Sequence, residues 1–220
     1  MTQPYYQDDM VTLYHGDCLD IDTWLSADVL VTDPPYGTQH TAENPRGGYG
    51  RRYLYDQGDG IGAAIANDAT TEVRDRVLSM WGDLPAMVFA SPRQPEPPGD
   101  WTHRLVWDKR RPGMNAGPWR YTHEAIYVRG EFERRRDDAF SIFSAWPGAD
   151  QKRHIHAKPV PLMMHLIEAT SDFAVIADPF AGAGSTLLAA RNLGRHAIGV
   201  EIEERYCEII ARRLSQGVLL

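Results

Sequence analysis

The sequence predicts an α/β protein in which a mostly parallel sheet is covered by helices on both faces. Two observations support this prediction. Apolar segments of strand length alternate along the chain with segments of helical periodicity, and one late strand leads through a glycine-rich turn into a helix. The 220 residues, of which 43% are hydrophobic, suffice for one sizeable core. We therefore expect residues 1–220 to form a single domain.

Short strands and one helix are predicted in the first part of the chain. The strands lie at residues 11–14, 27–32 and 85–90, the helix at 73–81, and a strand pair at 105–107 and 125–128. The later residues alternate regularly, with helices at 161–170, 186–193 and 203–214 and strands at 173–177 and 196–200. Residues 37–62 contain seven glycines and little periodicity, which predicts a long loop.

Composition argues against several classes of protein. No apolar run approaches the ~20 residues of a membrane helix, and the N-terminus lacks a signal-peptide pattern, so we expect a cytoplasmic protein without membrane contact. Cys18 and Cys207 lie outside any zinc-ligand spacing and are expected to be reduced and structural. His154 and His156 lack Cys or carboxylate support nearby, and we expect no metal site.

The middle of the chain is basic although the whole chain carries a formal net charge of -7. Between residues 101 and 158, Lys and Arg outnumber Asp and Glu, and tryptophans and a tyrosine lie among them. The clusters are Lys109, Arg110 and Arg111, and Arg134, Arg135 and Arg136. This composition suits phosphate contacts and base stacking, and a merely solvated basic surface is the alternative.

A carboxylate, two prolines and a ring follow the buried-type strand that ends near residue 32. The stretch reads Asp33, Pro34, Pro35 and Tyr36. Proline fixes its own φ angle and restricts the residue before it, so the two prolines hold the direction of the main chain here. The stretch therefore presents an acceptor and an aromatic face at the end of a strand.

A second polar stretch, Asp178-Pro-Phe-Ala-Gly-Ala-Gly-Ser-Thr186, lies between a predicted strand and a helix. Its glycines allow a ligand close to the backbone, and Glu201 ends the next strand, where an acidic side chain can accept both hydroxyls of a ribose. Leu187 replaces the third glycine of the NAD fingerprint, and the Walker pattern is absent. A nucleoside-bearing ligand without a pyrophosphate remains.

Together the two stretches resemble the S-adenosylmethionine-dependent amino-methyltransferases of DNA. That family has a [DNS]PP[YFW] catalytic tetrapeptide and a DxFxGxG cofactor motif, and here the catalytic motif comes first, as in the circularly permuted beta class. The resemblance implies a Rossmann-like methyltransferase fold with permuted motif order. Supporting matches occur at residues 16–19, 106–109, 123–126, 156–159 and 193–201.

The resemblance implies roles for individual residues. Asp33 and the carbonyl of Pro34 accept hydrogens of an exocyclic base amine, Pro35 helps to fix that carbonyl, and Tyr36 stacks on the flipped base. The cofactor residues are Asp178, Phe180, Gly182 and Gly184 for the methionine part and its turn, Glu201 for the ribose and Asp17 for the adenine. Ser185 is also assigned to the cofactor site, and Lys158 is placed near the cofactor.

Methylation of adenine N6 in DNA is the preferred prediction, because an Asp-first tetrapeptide is the commoner form among adenine enzymes of this family. Methylation of cytosine N4 is the alternative, and a non-catalytic nucleic-acid-binding protein is disfavoured because both motifs are intact. The basic target-recognition region, residues 109–155, is minimal. Either specificity is low, or the loops at 37–62 and 109–120 supply contacts, or a second subunit of a homodimer does. Whether a cognate restriction enzyme accompanies the protein stays open.

Overall fold

The computed structural model describes residues 3–37, 69–110, 121–132, 140–145 and 157–216. Within these residues nine strands form one sheet, and in chain order they are β1 (Tyr6–Gln7), β2 (Val11–His15), β3 (Val29–Thr32), β4 (Ala86–Ala90), β5 (His103–Asp108), β6 (His123–Arg129), β7 (Ile142–Ser144), β8 (Ile176–Asp178) and β9 (Ala197–Glu201). A 3-10 helix covers Thr23–Ser26, and the α-helices are α1 (Glu72–Trp81), α2 (Val160–Ile167), α3 (Ser185–Asn192) and α4 (Glu204–Ser215).

The strand order in the sheet is β1-β2-β9-β8-β3-β4-β6-β5-β7. Strands β2, β9, β8, β3 and β4 run parallel to one another, whereas β6 is antiparallel to both β4 and β5. The carboxyl ends of the five parallel strands therefore share one edge with the amino end of β6 and the carboxyl end of β5. Such an edge, at the point where the chain turns to opposite sides of the sheet, is the usual ligand site of open α/β folds.

Alternate residues of the central strands pack on opposite faces of the sheet. Val29 and Val31 of β3 contact the core shared with α2, α3 and α4, whereas Leu30 faces the core shared with α1 and the 3-10 helix. All four residues of β3 and all five of β4 are buried, as expected for strands covered on both faces. The predicted α/β class, with helices on both faces, is confirmed.

Several element bounds differ from the sequence prediction. The strand predicted at 173–177 begins at Ile176, because Phe173 is 92% exposed and lies in a turn before the sheet. The edge strands β1 and β7, of two and three residues, are too short to leave a pattern in the sequence. Most of the predicted loop at 37–62 lies outside the described residues. None of the helices in the described part of the chain has the length and apolar character that crossing a bilayer requires.

Candidate active site

Two carboxylates from neighbouring parallel strands meet at the carboxyl edge of the sheet. Asp33 directly follows β3, and Asp178 is the last residue of β8. The hydroxyl of Thr32 donates a hydrogen bond to Oδ1 of Asp178 at 2.6 Å, which ties the two strand ends together. The tetrapeptide that begins at Asp33 and the glycine-rich stretch that begins at Asp178 are therefore adjacent in space although they lie far apart in the chain.

Asp178 is buried at the start of the glycine-rich turn. The main-chain N–H of Phe180 donates to its Oδ1 at 3.2 Å, and Phe180 itself is half-buried. Burial raises the pKa of Asp178 to about 6, and hydrogen bonds from Thr186 and Thr32 oppose that rise. A ligand that brings positive charge or further donors would stabilise this carboxylate.

Glu201, at the end of β9, is held by the main chain of the same turn. Its Oε2 accepts from the N–H of Gly182 at 2.7 Å, and its Oε1 accepts from the N–H of Glu203 at 2.8 Å. Gly182 has a φ of 52°, and Gly184 has a φ of 77°. A Cβ on Gly184 would lie 2.8 Å from Cγ1 of Ile210, so glycine also permits the close packing of α3 on α4. Burial raises the pKa of Glu201 to about 7.

Two further predicted cofactor residues lie along this edge. Asp17 follows β2, whose last residue, His15, is in register with Glu201, and Oδ1 of Asp17 accepts from the N–H of Leu19 at 2.9 Å. Ser185 is the first residue of α3, and its buried hydroxyl has no hydrogen-bond partner among the described residues. A buried hydroxyl without a partner costs about 1–3 kcal/mol, so this one is suited to a ligand acceptor.

Around Asp33 the structure gathers a compact charged cluster. The hydroxyl of Tyr36 donates to Oδ1 of Asp33 at 2.5 Å, and the ammonium of Lys158 forms an ion pair with Oδ2. Lys158 also lies 3.3 Å from Oε2 of Glu124, and Lys109 forms an ion pair with Oε1 of the same carboxylate. We name Asp33, Tyr36, Lys109, Glu124 and Lys158 the charged cluster.

The pKa values follow from burial and from this pairing. Burial and the nearby Glu124 raise the pKa of Asp33, while Lys158 opposes the rise. Burial favours the neutral form of Glu124, but Lys158 and Lys109 hold its pKa at about 2. Burial, followed by the charges of Asp33 and Glu124, raises the pKa of Tyr36 well above its ordinary value. The cluster therefore contains an ionised Glu124 and a neutral phenol at neutral pH.

Of the remaining predicted residues, the structure brings several together around Asp33, leaves Arg110 exposed, and does not describe the others. Pro34 is buried and Pro35 half-buried beside Asp33. Lys158, predicted near the cofactor, contacts Asp33, and Lys109, predicted to contact DNA, contacts Glu124. Arg110 is exposed, with a φ of 50°. Arg111 and residues 134–136 lie outside the described residues.

Glu124 had no predicted role of its own, although it lies within one of the family-like stretches, residues 123–126. Glu124 is the second residue of β6, is 8% exposed, and is followed by five buried residues of the same strand. An acidic residue directly before such a run was a usable signal, because a buried carboxylate needs partners. Those partners could not be identified from sequence, because they come from segments that are distant along the chain and meet only in the fold.

Comparison with known proteins agrees with the fold and the motifs. A family model described as DNA methylase, covering N6 and N4 enzymes, matches residues 93–212. Because this match spans more than half of the chain, the chain belongs to that family and is an S-adenosylmethionine-dependent amino-methyltransferase of DNA.

Relatives cover nearly the whole chain at low identity. The type II methyltransferase M2.LlaDCHI of Lactococcus lactis subsp. cremoris is 25% identical over 99% of this chain and 94% of its own length. The M1.HpyAVI complex with S-adenosylmethionine has a TM-score of 0.60 and 20% identity, and covers 93% of this chain and 100% of that one. The cytosine-N4-specific PvuII methyltransferase has a TM-score of 0.63 and 13% identity, and covers 98% and 96% respectively. These two structures support the Rossmann-like methyltransferase fold.

Proposed function

We propose that this protein methylates the exocyclic N6 amine of adenine in DNA. The observation that carries the proposal is the position of Asp33, which begins the tetrapeptide and lies beside the cofactor-type turn at the carboxyl edge of the sheet. The choice of adenine rests on the Asp-first form of that tetrapeptide. Methylation of cytosine N4 is the second candidate, because the fold resembles that of the cytosine-N4-specific PvuII enzyme.

The residues along the edge fit S-adenosylmethionine. The ligand brings positive charge, which would stabilise the carboxylate of Asp178, and ribose hydroxyl donors, which would stabilise that of Glu201. Burial raises the pKa values of both groups, so each ionised form gains from such a partner. The hydroxyl of Ser185, buried at the start of α3, can donate to a ligand carboxylate. When bound, the cofactor supplies a methyl group made electrophilic by its sulfonium. We propose Asp178, Phe180, Gly182, Gly184 and Ser185 for its methionine part, Glu201 for the ribose and Asp17 for the adenine.

Asp33 and its neighbours are proposed to bind the nucleophile, which is the exocyclic amine of the target base. The lone pair of a base amine is delocalised into the ring, so the amine reacts well only when its hydrogens are bonded and its nitrogen becomes pyramidal. The carboxylate of Asp33 and the carbonyl of Pro34 can accept those two hydrogens, and the ring of Tyr36 can stack on the flipped base. The amine would release one proton toward Asp33 as its N–C bond forms and the bond between the methyl carbon and the cofactor's sulfur breaks, which would leave the bonding electrons on the sulfur as a neutral thioether.

The proposal is tested by identifying the product. We expect duplex DNA incubated with the purified protein and S-adenosylmethionine to yield N6-methyladenine on nucleoside analysis by mass spectrometry. An Asp33→Ala sample run in parallel controls for contaminating methyltransferases. N4-methylcytosine as the product would establish the second candidate instead. DNA that contains neither methylated base after the reaction would contradict both candidate functions.

The basic residues at positions 134–136 are proposed to bind DNA phosphates. Replacing all three with alanine is expected to weaken binding to every DNA sequence and to flatten its dependence on salt, because each lost phosphate contact lowers the number of counterions released. Fluorescence anisotropy over a range of salt concentrations measures both effects. Arg104→Ala is the control, since Arg104 is an exposed residue near the amino end of β5, whereas the proposed active site lies at the carboxyl end of that strand. Equal affinities and salt slopes would assign the three arginines to a solvated surface.

Contacts from Lys109, Arg110 and Arg111 to DNA also stay predictions, as do the homodimer and the restriction enzyme. The ammonium of Lys109 forms an ion pair with Glu124, so a direct contact from Lys109 to a DNA phosphate would compete with that pair.

A further inference from the structure

Glu124 is a buried acid to which the proposed reaction gives no task. It projects from β6 at the edge of the sheet that holds the site, and it pairs in register with Trp107 of β5. Both of its oxygens are engaged, one by Lys109 and the other by Lys158. Taking a carboxylate out of water is costly unless it is paired, so two ammonium partners at one buried acid mark an organised site.

Lys158 connects Glu124 to Asp33. Its side chain is 6% exposed, and its ammonium contacts both carboxylates. The same ammonium lies 5.1 Å from the centre of the Phe89 ring and 5.6 Å from that of Tyr36, so aromatic faces border it as well. A long, flexible side chain held at this many points has little freedom to move.

The charges of the cluster balance when both acids are ionised. Asp33 and Glu124 carry the negative charges, and Lys109 and Lys158 carry the positive ones. Tyr36 spans the two acids, since its hydroxyl lies 2.5 Å from Asp33 and 3.3 Å from Glu124. Removing the charge of Glu124 therefore changes the environment of Asp33 in two ways, directly and through Lys158.

We propose that Glu124 is a positioning residue for methyl transfer, which shares the Lys158 ammonium with Asp33 and so fixes that ammonium and the Asp33 carboxylate in place for the target amine. This inference rests on the proposed function of Asp33. It assigns Lys109 a supporting task, because Lys109 balances the second oxygen of Glu124 and leaves Lys158 shared between the two acids.

The pH dependence of the reaction distinguishes this role from a merely structural one. Among the residues that the structure describes, the groups that face Asp33 are Lys158, Glu124 and Tyr36, with Asp178 on the neighbouring strand. The negative charge of Glu124 raises the pKa of Asp33 and also that of Lys158. A neutral side chain at position 124 should therefore lower both pKa values. Both limbs of the pH profile of kcat/KM should then move to lower pH.

The experiment compares Glu124→Gln and Glu124→Asp with the control Glu131→Gln, an exposed acid just beyond the other end of β6. We expect Glu124→Gln to lower kcat by about 10-fold to 100-fold, because a displaced reacting group is costly. Its pH limbs should shift as described, and its affinity for S-adenosylmethionine should be unchanged. Glu124→Asp keeps the negative charge but has a shorter side chain. The limbs of its pH profile should therefore remain at the wild-type pH values, while its kcat should fall. Glu131→Gln should match the wild type.

A titration of the Asp33 carboxyl by 13C NMR, assigned with Asp33→Asn, gives a second measurement that needs no turnover. A lower midpoint in Glu124→Gln than in the wild type supports the inference. Equal midpoints, or a slower Glu124→Gln enzyme with unshifted pH limbs, overturn it. Should the wild type transfer no methyl group, the proposed function fails, while the titration still decides whether Glu124 controls Asp33. If Glu124→Gln does not fold, Glu124→Asp still tests the inference. An unaltered kcat and an unaltered pH profile in Glu124→Asp would show that the length of the Glu124 side chain is not needed, and would overturn the inference.

Discussion

Replacing Asp33 with alanine is expected to abolish methyl transfer to DNA and to leave binding of S-adenosylmethionine largely intact. Asp33 is proposed to contact the base, and its carboxylate is held by Tyr36 and Lys158, whereas the turn at Gly182 is held separately by Glu201. Loss of the acceptor leaves the amine of the base flat and unreactive. The expected loss of rate is roughly 10³-fold or more.

Transfer of a radioactive methyl group to DNA measures the rate, and calorimetry measures the binding of the cofactor. Asp100→Ala, at an exposed position away from the site, is the matched control. Asp33→Asn separates charge from shape, because an amide retains one acceptor oxygen but lacks the negative charge that pairs with Lys158. Substantial activity in Asp33→Ala would remove Asp33 from the mechanism. A parallel loss of cofactor binding would show that the site depends on Asp33 structurally.

The second large effect is expected at Glu201. Glu201→Gln should weaken binding of S-adenosylmethionine by about 100-fold, because hydrogen bonds to a charged acceptor contribute about 1.5–3 kcal/mol each. In the wild type, affinity should rise as the pH rises through about 7, where burial has placed the pKa of this carboxyl. The glutamine side chain does not titrate, so affinity in the variant should lack this rise.

The same pKa has the opposite effect on the stability of the cofactor-free protein. Because the folded-state pKa of about 7 lies above the ordinary value of 4.5, folding penalises the ionised form of Glu201. The free energy of unfolding should therefore fall as the pH rises between those two values, by about 3 kcal/mol at most. Asp178, whose pKa is raised to about 6, acts in the same direction at lower pH.

Thermal denaturation from about pH 5 to about pH 8 measures the stability of the cofactor-free protein. Repeated with S-adenosylmethionine, it also measures how the affinity for the cofactor depends on pH. The comparison includes Glu208→Gln, which removes an exposed acid from α4 and should follow the wild type. Glu201→Gln should lose less stability than the wild type as the pH rises. Cofactor affinity that is the same in the variant and the wild type at every pH would contradict the assignment of Glu201 to the ribose.

The fold was largely predictable because most of its strands and helices are indicated by the residue pattern of one short segment. Strands β3 and β4 are apolar along their whole length, and the helices after the glycine-rich turn have clear periodicity. The misplaced start of β8 has a local cause, since Phe173 continues the apolar run but lies exposed before the sheet. The short edge strands depend on pairing with neighbours, which no single segment encodes.

The site was predictable only in part. Its motifs are contiguous, so Asp33 and Asp178 could be singled out from the sequence. Glu124 meets Lys109 through the pairing of β5 with β6, and Lys158 reaches Asp33 from a segment 125 residues away. Contacts of this kind depend on register and on the order of strands in the sheet. They had to be read from the structure.

The strand order also dictates when a newly made chain becomes active. Strands β8 and β9, which end in Asp178 and Glu201, are among the last to be synthesised, yet they lie in the sheet between β2 and β3, which are among the first. A nascent chain that has already exposed Tyr36 outside the ribosome still lacks β8 and β9, whose last residues are proposed to bind the methyl donor. Until those strands are made, the edges of β2 and β3 that later pair with β9 and β8 stay unpaired, and unpaired strand edges in partly folded chains promote aggregation. On the proposed assignment of Glu201, methylation of DNA cannot begin before synthesis has passed that residue.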